Sequence, residues 1–412
     1  MKTNDLRGAA RLAADATAGL TDLVEAMHER IASVPGLDAL LEGRMNGRTS
    51  GITGLVYNSI RGVTQVVGGT VDALLGLIAP TLSATEPAAP PRPEREALVA
   101  VLNGVLGDHL AASGNPLAIT MALRSGGRAL PLERETLATR LLEDGTPAAP
   151  TLLVLLHGLC MNDLQWLRDG HDHGTCLAAA LGATPVYLHY NTGLPIAENG
   201  RQFAGLMQQL LDAWPVPLQR VVLLGHSMGG LVARSALHQG QAAGQAWPAR
   251  VDDLVFLGTP HLGAPLERAG HGVDLLLGAA PFTSRYTAPL ARLGRIRSAG
   301  ITDLRHGLLG ADKAPLPLPS GPRCWAVAAT LGDGAGALKG RLLGDGLVPV
   351  DSALGRRHNP ARALAFAAER QWVVHNTGHL ALLSSPEVAQ RLLEWLGGRP
   401  PAAATAGPPG PG

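Results

Sequence analysis

Val221-Val222-Leu223-Leu224-Gly225-His226-Ser227-Met228-Gly229-Gly230-Leu231-Val232-Ala233-Arg234-Ser235-Ala236-Leu237 decides how this chain is read. The short apolar run that opens it is the mark of a strand covered on both faces, as in a parallel sheet. From Gly230 the pattern becomes that of an amphipathic helix. Between strand and helix lies Gly-x-Ser-x-Gly, and flanking glycines remove the Cβ groups that would block a sharp turn. Ser227 is then presented at the sheet's carboxyl edge and at a helix N-terminus, whose N–H groups favour developing negative charge. Alone, five residues of this pattern are weak; the strand before and the helix after give Ser227 its reading as a nucleophile.

A serine nucleophile needs a proton acceptor, an orienting acid and donors for the oxyanion. Upstream, His157-Gly158-Leu159 follows the apolar run Thr151–His157, and the Leu159 N–H (or that of Cys160) can pair with the Met228 N–H as an oxyanion hole. Three histidines lie beyond residue 350, namely His358, His375 and His379. His375 ends a strand-like run, whereas His379 follows Asn376-Thr377-Gly378 on a loop, the expected setting for the base. For the acid, Asp345 lies on the glycine-flanked loop Gly344-Asp345-Gly346, with Asp333 and then Asp351 as competitors.

Working outward, buried-strand runs recur at Thr151–His157, Thr184–Tyr190, Arg220–Gly225, Leu254–Gly258, Cys324–Thr330 and Gln371–His375. Helical stretches at Asn199–Ala213 and Met228–Gln239 separate some of them. Strand and helix in alternation predict an α/β protein with a mostly parallel, doubly wound sheet. Leu117–Arg124 and Arg128–Leu132 predict a hairpin about Gly126-Gly127. The stretch between Gly258 and Cys324 is too long for a simple crossover and reads as a cap or lid insertion over about 262–322.

At the N-terminus, Leu12, Ala16, Leu20, Leu23, Met27 and Ile31 lie on one helical face. Gly62, Gly69 and Gly76 follow at heptad spacing. Residues 1–85 are expected to form a helical segment that packs on the catalytic domain, self-associates or touches a lipid surface. Residues 86–93 read as a stiff proline-rich linker, 94–398 as the catalytic domain with a first helix at Glu94–Ala112, and 399–412 as a disordered tail.

Composition bounds the partners. Of 412 residues, 34 are Lys or Arg and 33 are Asp or Glu, so no global field favours nucleic acid or an anionic membrane. Cys160, Cys176 and Cys324 are too few for a disulfide framework. No apolar leader follows the first basic residues, and the most apolar stretch, Val63–Leu82, is broken by Gln65, Asp72 and glycines. A cytoplasmic protein is expected. His171-Asp172-His173 lacks further matched ligands, and a serine triad needs neither metal nor cofactor, so none is expected.

Taken together, His157-Gly158-Leu159, Gly225–Gly230, Gly258-Thr259-Pro260-His261-Leu262-Gly263-Ala264-Pro265, Gly344–Pro349 and Gly378-His379-Leu380 resemble bacterial lipases and the esterases related to GPI inositol-deacylase. The resemblance covers about residues 115–397 and implies an α/β-hydrolase fold, ester hydrolysis through an acyl-enzyme, and a triad of Ser227, Asp345 and His379. It implies further that Thr259 and His261 line the site with His157, Gly158, Cys160 and His226, on a small-molecule or lipid ester. Leu380-Ala381 stand where many of those lipases carry a calcium-binding aspartate. Nor does a GPI substrate follow, because that deacylase is membrane-embedded. An acyltransferase or thioesterase using the same triad is the nearest alternative, and a non-catalytic binding protein on this fold the more distant one.

Overall fold

The computed structural model describes residues 93–264, 298–310, 316–333, 344–357 and 363–397. Helix α1 (Pro93–Ala112) leads into a hairpin, β1 (Ala122–Ser125) and β2 (Arg128–Ala129), and then α2 (Arg134–Glu143). Strand and helix alternate from there: β3 (Thr151–Leu156), α3 (His173–Leu181), β4 (Ala183–His189), α4 (Ile196–Ala213), β5 (Arg220–His226), α5 (Met228–Ala242) and β6 (Val251–Leu257). The chain closes with α6 (Ala299–His306), β7 (Arg323–Ala329), the single turn α7 (Val350–Ala353), β8 (Gln371–Val374) and α8 (Pro386–Gly397).

All eight strands join one sheet in the order β2-β1-β4-β3-β5-β6-β7-β8. From β4 to β8 every pairing is parallel, whereas both pairings of β1, with β2 and with β4, are antiparallel. The strand order reverses between β3 and β5, because the chain goes from β3 outward to β4 and then returns to the other side. Parallel doubly wound sheets open a crevice at the carboxyl ends of the strands at such a switch point. His157-Gly158 follows β3 and Ser227 follows β5, so topology alone brings the two turns to that crevice.

Side chains alternate between two cores, as a two-residue period requires. Leu152, Val154 and Leu156 of β3, with Val221 and Leu223 of β5, face the core covered by α4 and α5. Leu153, Leu155, Val222 and Leu224 face the opposite core under α3 and α8. At the amino edge, buried Asp253 accepts from Arg220 Nη2 (2.7 Å), Arg323 Nη2 (2.8 Å) and Trp325 Nε1 (2.9 Å), which ties β5, β6 and β7 together. A cavity of about 650 Å³ beside Gln245, Val251 and Arg323 opens at this same edge, at the other end of the strands from Ser227.

The hairpin strands are shorter than the apolar runs predict. Buried Asn103 of α1 accepts from Ile119 N (2.9 Å) and donates to the Leu117 carbonyl (2.8 Å), so those groups serve the helix instead of a ladder. Helices α2 and α3 carry no strong periodic signal in the sequence and were not expected. Of the expected cap insertion, 262–264, 298–310 and 316–322 are described, α6 among them. The N-terminal segment, the linker up to residue 92, the rest of the cap and the tail at 399–412 lie outside the described residues. Among the described helices none is long and apolar enough to cross a membrane.

Candidate active site

Ser227 occupies a backbone conformation that side-chain-bearing residues seldom adopt, φ 53° and ψ −122°, at the N-cap of α5. Its N–H donates to the Leu257 carbonyl at 2.8 Å, which pins the turn to β6. The glycines around it are required by contact. A Cβ on Gly225 would lie 2.5 Å from Gly230 Cα, and one on Gly229 would lie 2.2 Å from the Leu156 carbonyl oxygen.

Two loops beyond β7 and β8 meet beside the serine. His379 Nδ1 lies 2.7 Å from Asp345 Oδ2, with both side chains about 1% exposed. Because a carboxylate accepts, Nδ1 carries the proton and Nε2 is left as the basic nitrogen. Nε2 is buried and has no hydrogen-bond partner among the described residues, Ser227 Oγ included. The loops are stitched a second time by His379 N donating to the Asp345 carbonyl at 3.0 Å. Asp345 is itself fixed, since Oδ1 accepts from Leu347 N (3.0 Å) and Val348 N (2.7 Å). Gly258 backs the pair, where a Cβ would stand 3.2 Å from both Asp345 Oδ2 and His379 Cε1. Of the three candidate acids it is Asp345 that meets His379 Nδ1.

On the β3 side, Cys160 is held at φ 59°. Its N–H donates to Thr192 Oγ1 at 3.2 Å, so that group is engaged within the fold. Gly158 packs against Ser227, its ideal Cβ position being 3.1 Å from Ser227 Cβ. Helix α1 closes over the turn, and a Cβ on Gly104 would meet Cys160 Sγ at 2.2 Å. Burial pushes the Cys160 thiol up to about 12, which keeps it protonated and unreactive.

Around these groups lie buried histidines that burial holds neutral. His157, lowered to about 3, donates from Nδ1 to the Gly158 carbonyl at 2.9 Å and stacks on Tyr190 at 4.4 Å. His226 faces His379 with ring centroids 4.7 Å apart, and burial holds it well below the usual imidazole value. His261 accepts from Arg234 Nη1 at 3.2 Å and lies edge-on to Phe256; burial, then the Arg234 charge, hold it well below the usual value. Thr259 Oγ1 and His261 Nε2 are buried with no partner among the described residues. His171 Nε2 and His173 Nδ1 are 2.8 Å apart, and His173 Nε2 donates to the Leu382 carbonyl at 2.9 Å. This pair braces the loop after His379. Among the described residues no group of three or more His, Cys, Asp or Glu is arranged to hold a metal.

Sequence reading missed Thr192, Gly104, Gly258, Tyr190 and Arg234. A signal existed for two of them: Asn191-Thr192-Gly193 is a turn directly after a strand, and Gly104 with Gly107 puts two glycines on one face of an otherwise good helix.

The mostly parallel sheet, its switch point and the serine elbow at the end of β5 define an α/β-hydrolase fold. A family described as "PGAP1-like alpha/beta domain" matches residues 205–314, roughly a quarter of the chain, which includes Ser227 but neither Asp345 nor His379. Comparison with curated proteins finds no match. Among solved structures, the mature lipase BlEst2 of Bacillus licheniformis is 19% identical, covering 59% of this chain and 91% of its own, with a TM-score of 0.41. A lipase-esterase related protein of Clostridium acetobutylicum is 14% identical, covering 60% and 94%, with a TM-score of 0.35. At such scores the fold rests on the strand order of this chain itself.

Proposed function

We propose that this chain is a serine carboxylic-ester hydrolase with Ser227, His379 and Asp345 as its triad. One observation carries the reading: a buried imidazole whose Nδ1 is 2.7 Å from a carboxylate, and whose Nε2 is left bare, beside a serine on a strained elbow. His379 Nε2 takes the Ser227 proton as Oγ attacks the ester carbonyl. The carbonyl oxygen becomes an oxyanion between the Leu159 and Met228 N–H groups, each such donor contributing roughly 3–4 kcal/mol. Collapse breaks the ester bond, and the alcohol leaves with the proton from Nε2. Water then repeats the sequence on the acyl-enzyme.

Asp345 holds the imidazole in one tautomer and stabilises its cation. Thr259 and His261, with buried polar atoms left over, are the side chains we assign to the substrate. His157, Gly158 and Cys160 shape the oxyanion turn. The apolar composition of the expected cap, about 262–322, favours a lipophilic ester, and three free thiols suit a reducing, cytoplasmic setting. The test is labelling by a fluorophosphonate, followed by a chain-length series of p-nitrophenyl esters. Wild type should label and Ser227→Ala should not; equal labelling, or none in either, ends the proposal. Turnover only with added alcohol or acyl-CoA would move it to acyl transfer.

A further inference from the structure

His226 is the residue immediately before the nucleophile, and its side chain reaches the base. Its Nε2 lies 3.1 Å from the His379 carbonyl oxygen, and both groups are buried. A carbonyl can only accept, so Nε2 carries the proton and the ring is the Nε2–H tautomer. The other nitrogen, Nδ1, is buried with no partner among the described residues. It faces the oxyanion turn, where the ideal Cβ position of Gly158 is 3.1 Å away. Trp166 closes the ring edge-on at 6.4 Å. One imidazole therefore touches the elbow, the oxyanion turn and the loop of the base.

The backbone of His379 is thus tied at both of its polar groups. Its N–H donates to the Asp345 carbonyl, and its C=O accepts from His226. The first bond joins base to acid. The second joins base to the strand that ends in the nucleophile, because His226 is paired in register with Leu257 inside the sheet. A loop held only by the acid could swing with it and carry Nε2 away from Oγ. Anchored to the residue before Ser227, it cannot.

We propose that His226 is a positioning residue that fixes the His379 loop against the nucleophile's own strand. The inference rests on the triad reading for its kinetic consequence, and on geometry alone for its structural one. Burial keeps the ring neutral, so it does this without adding charge beside the base. A second proton on Nδ1 would have no acceptor among the described residues and would put a cation 4.7 Å from the ring that becomes cationic during turnover. His226 therefore donates to the base's backbone without competing for its proton.

The experiment compares His226→Phe, which keeps a ring but no donor, with His226→Gln, which restores an N–H at similar reach. His226→Leu repeats the first comparison should the phenylalanine variant not fold. Proton NMR of the full chain reads the low-field Nδ1–H resonance of His379, assigned by its loss in Asp345→Asn. It should persist in wild type and His226→Gln and vanish by exchange broadening in His226→Phe. On an ester, kcat should fall about 10- to 100-fold in His226→Phe with KM within about twofold, the scale of a misplacement of about 1 Å, and His226→Gln should recover most of it. An unchanged resonance in His226→Phe, or equal impairment of both variants, overturns the proposal. Wild type that gives the resonance but never labels at Ser227 removes the hydrolase reading and leaves the positioning of His379 standing.

Discussion

Two turns at the carboxyl ends of neighbouring strands hold a non-glycine residue in the left-handed region: Ser227 at φ 53° after β5, and Cys160 at φ 59° after β3. Each such residue stores about 1–3 kcal/mol of strain that its surroundings must hold in place. The surroundings differ. The elbow is enforced by glycines within three residues of Ser227, and two of these approach backbone that cannot move aside, namely Gly230 itself and the end of β3. The turn at Cys160, the proposed oxyanion turn, is held instead by a hydroxyl from Thr192, after β4, and by the glycine face of α1, more than fifty residues earlier in the chain. Local sequence encodes one strained turn and long-range packing encodes the other, so they should fail differently.

The largest effect is expected at the elbow. Gly229→Ala places a methyl 2.2 Å from a backbone oxygen, and should cost about 3 kcal/mol or more in urea unfolding, or prevent soluble expression. Normal stability with normal labelling would mean that the elbow is not confined as described. Next comes Gly104→Ala. Alanine in a helix interior ordinarily stabilises by up to about 1 kcal/mol, but here the methyl meets Cys160 Sγ. We expect kcat to fall about tenfold or more, as displaced oxyanion donors do, and Gly104→Ala/Cys160→Ala to restore it. A stable, fully active single variant would detach α1 from the oxyanion turn.

Thr192→Val keeps the volume and removes the acceptor of the Cys160 N–H. Leaving that buried donor unpaired should cost about 1–2 kcal/mol and slow turnover modestly, measured by thermal melting and steady-state kinetics. An effect as large as that of Gly229→Ala would erase the contrast between the turns. The smallest effect is one of pH. His157, beneath the oxyanion turn, is lowered to about 3 by burial. Its folded value lies below the unfolded one, so the unfolded chain binds the proton first and stability falls as pH drops below about 6.5. Between pH 7.5 and 5.5 this one group should remove about 1.4 kcal/mol. The loss over that interval should be smaller by this amount in His157→Gln; an identical loss in both proteins would place the sensitivity on His173, His226 or His261.

Much of the fold was legible because parallel strands buried on both faces must be apolar throughout. Each run from Thr151–His157 to Gln371–His375 reappears as a strand, displaced at its ends by at most three residues. The hairpin was overread, because no periodicity tells that Asn103 claims the Ile119 N–H and the Leu117 carbonyl. In the site, chain order and glycine-flanked loops pointed to Ser227, Asp345 and His379, and the structure places the last two in contact. Motif membership said only that His226 and His157 are near the serine. Which way their rings turn, onto the His379 carbonyl and onto Tyr190, depends on residues that the motifs do not contain.

By itself, then, the sequence determined the alternating architecture and the elbow, since both depend on short-range rules: two-residue burial period, strand length and the absence of Cβ groups beside Ser227. Tertiary structure alone decided the contact of Asp345 with His379 across 34 positions, the support of Cys160 by Thr192 across 32, and the reach of His226 to His379 across 153. Those distances are set by how strands stack in the sheet and which loops its carboxyl edge gathers, and no local pattern of residues records that.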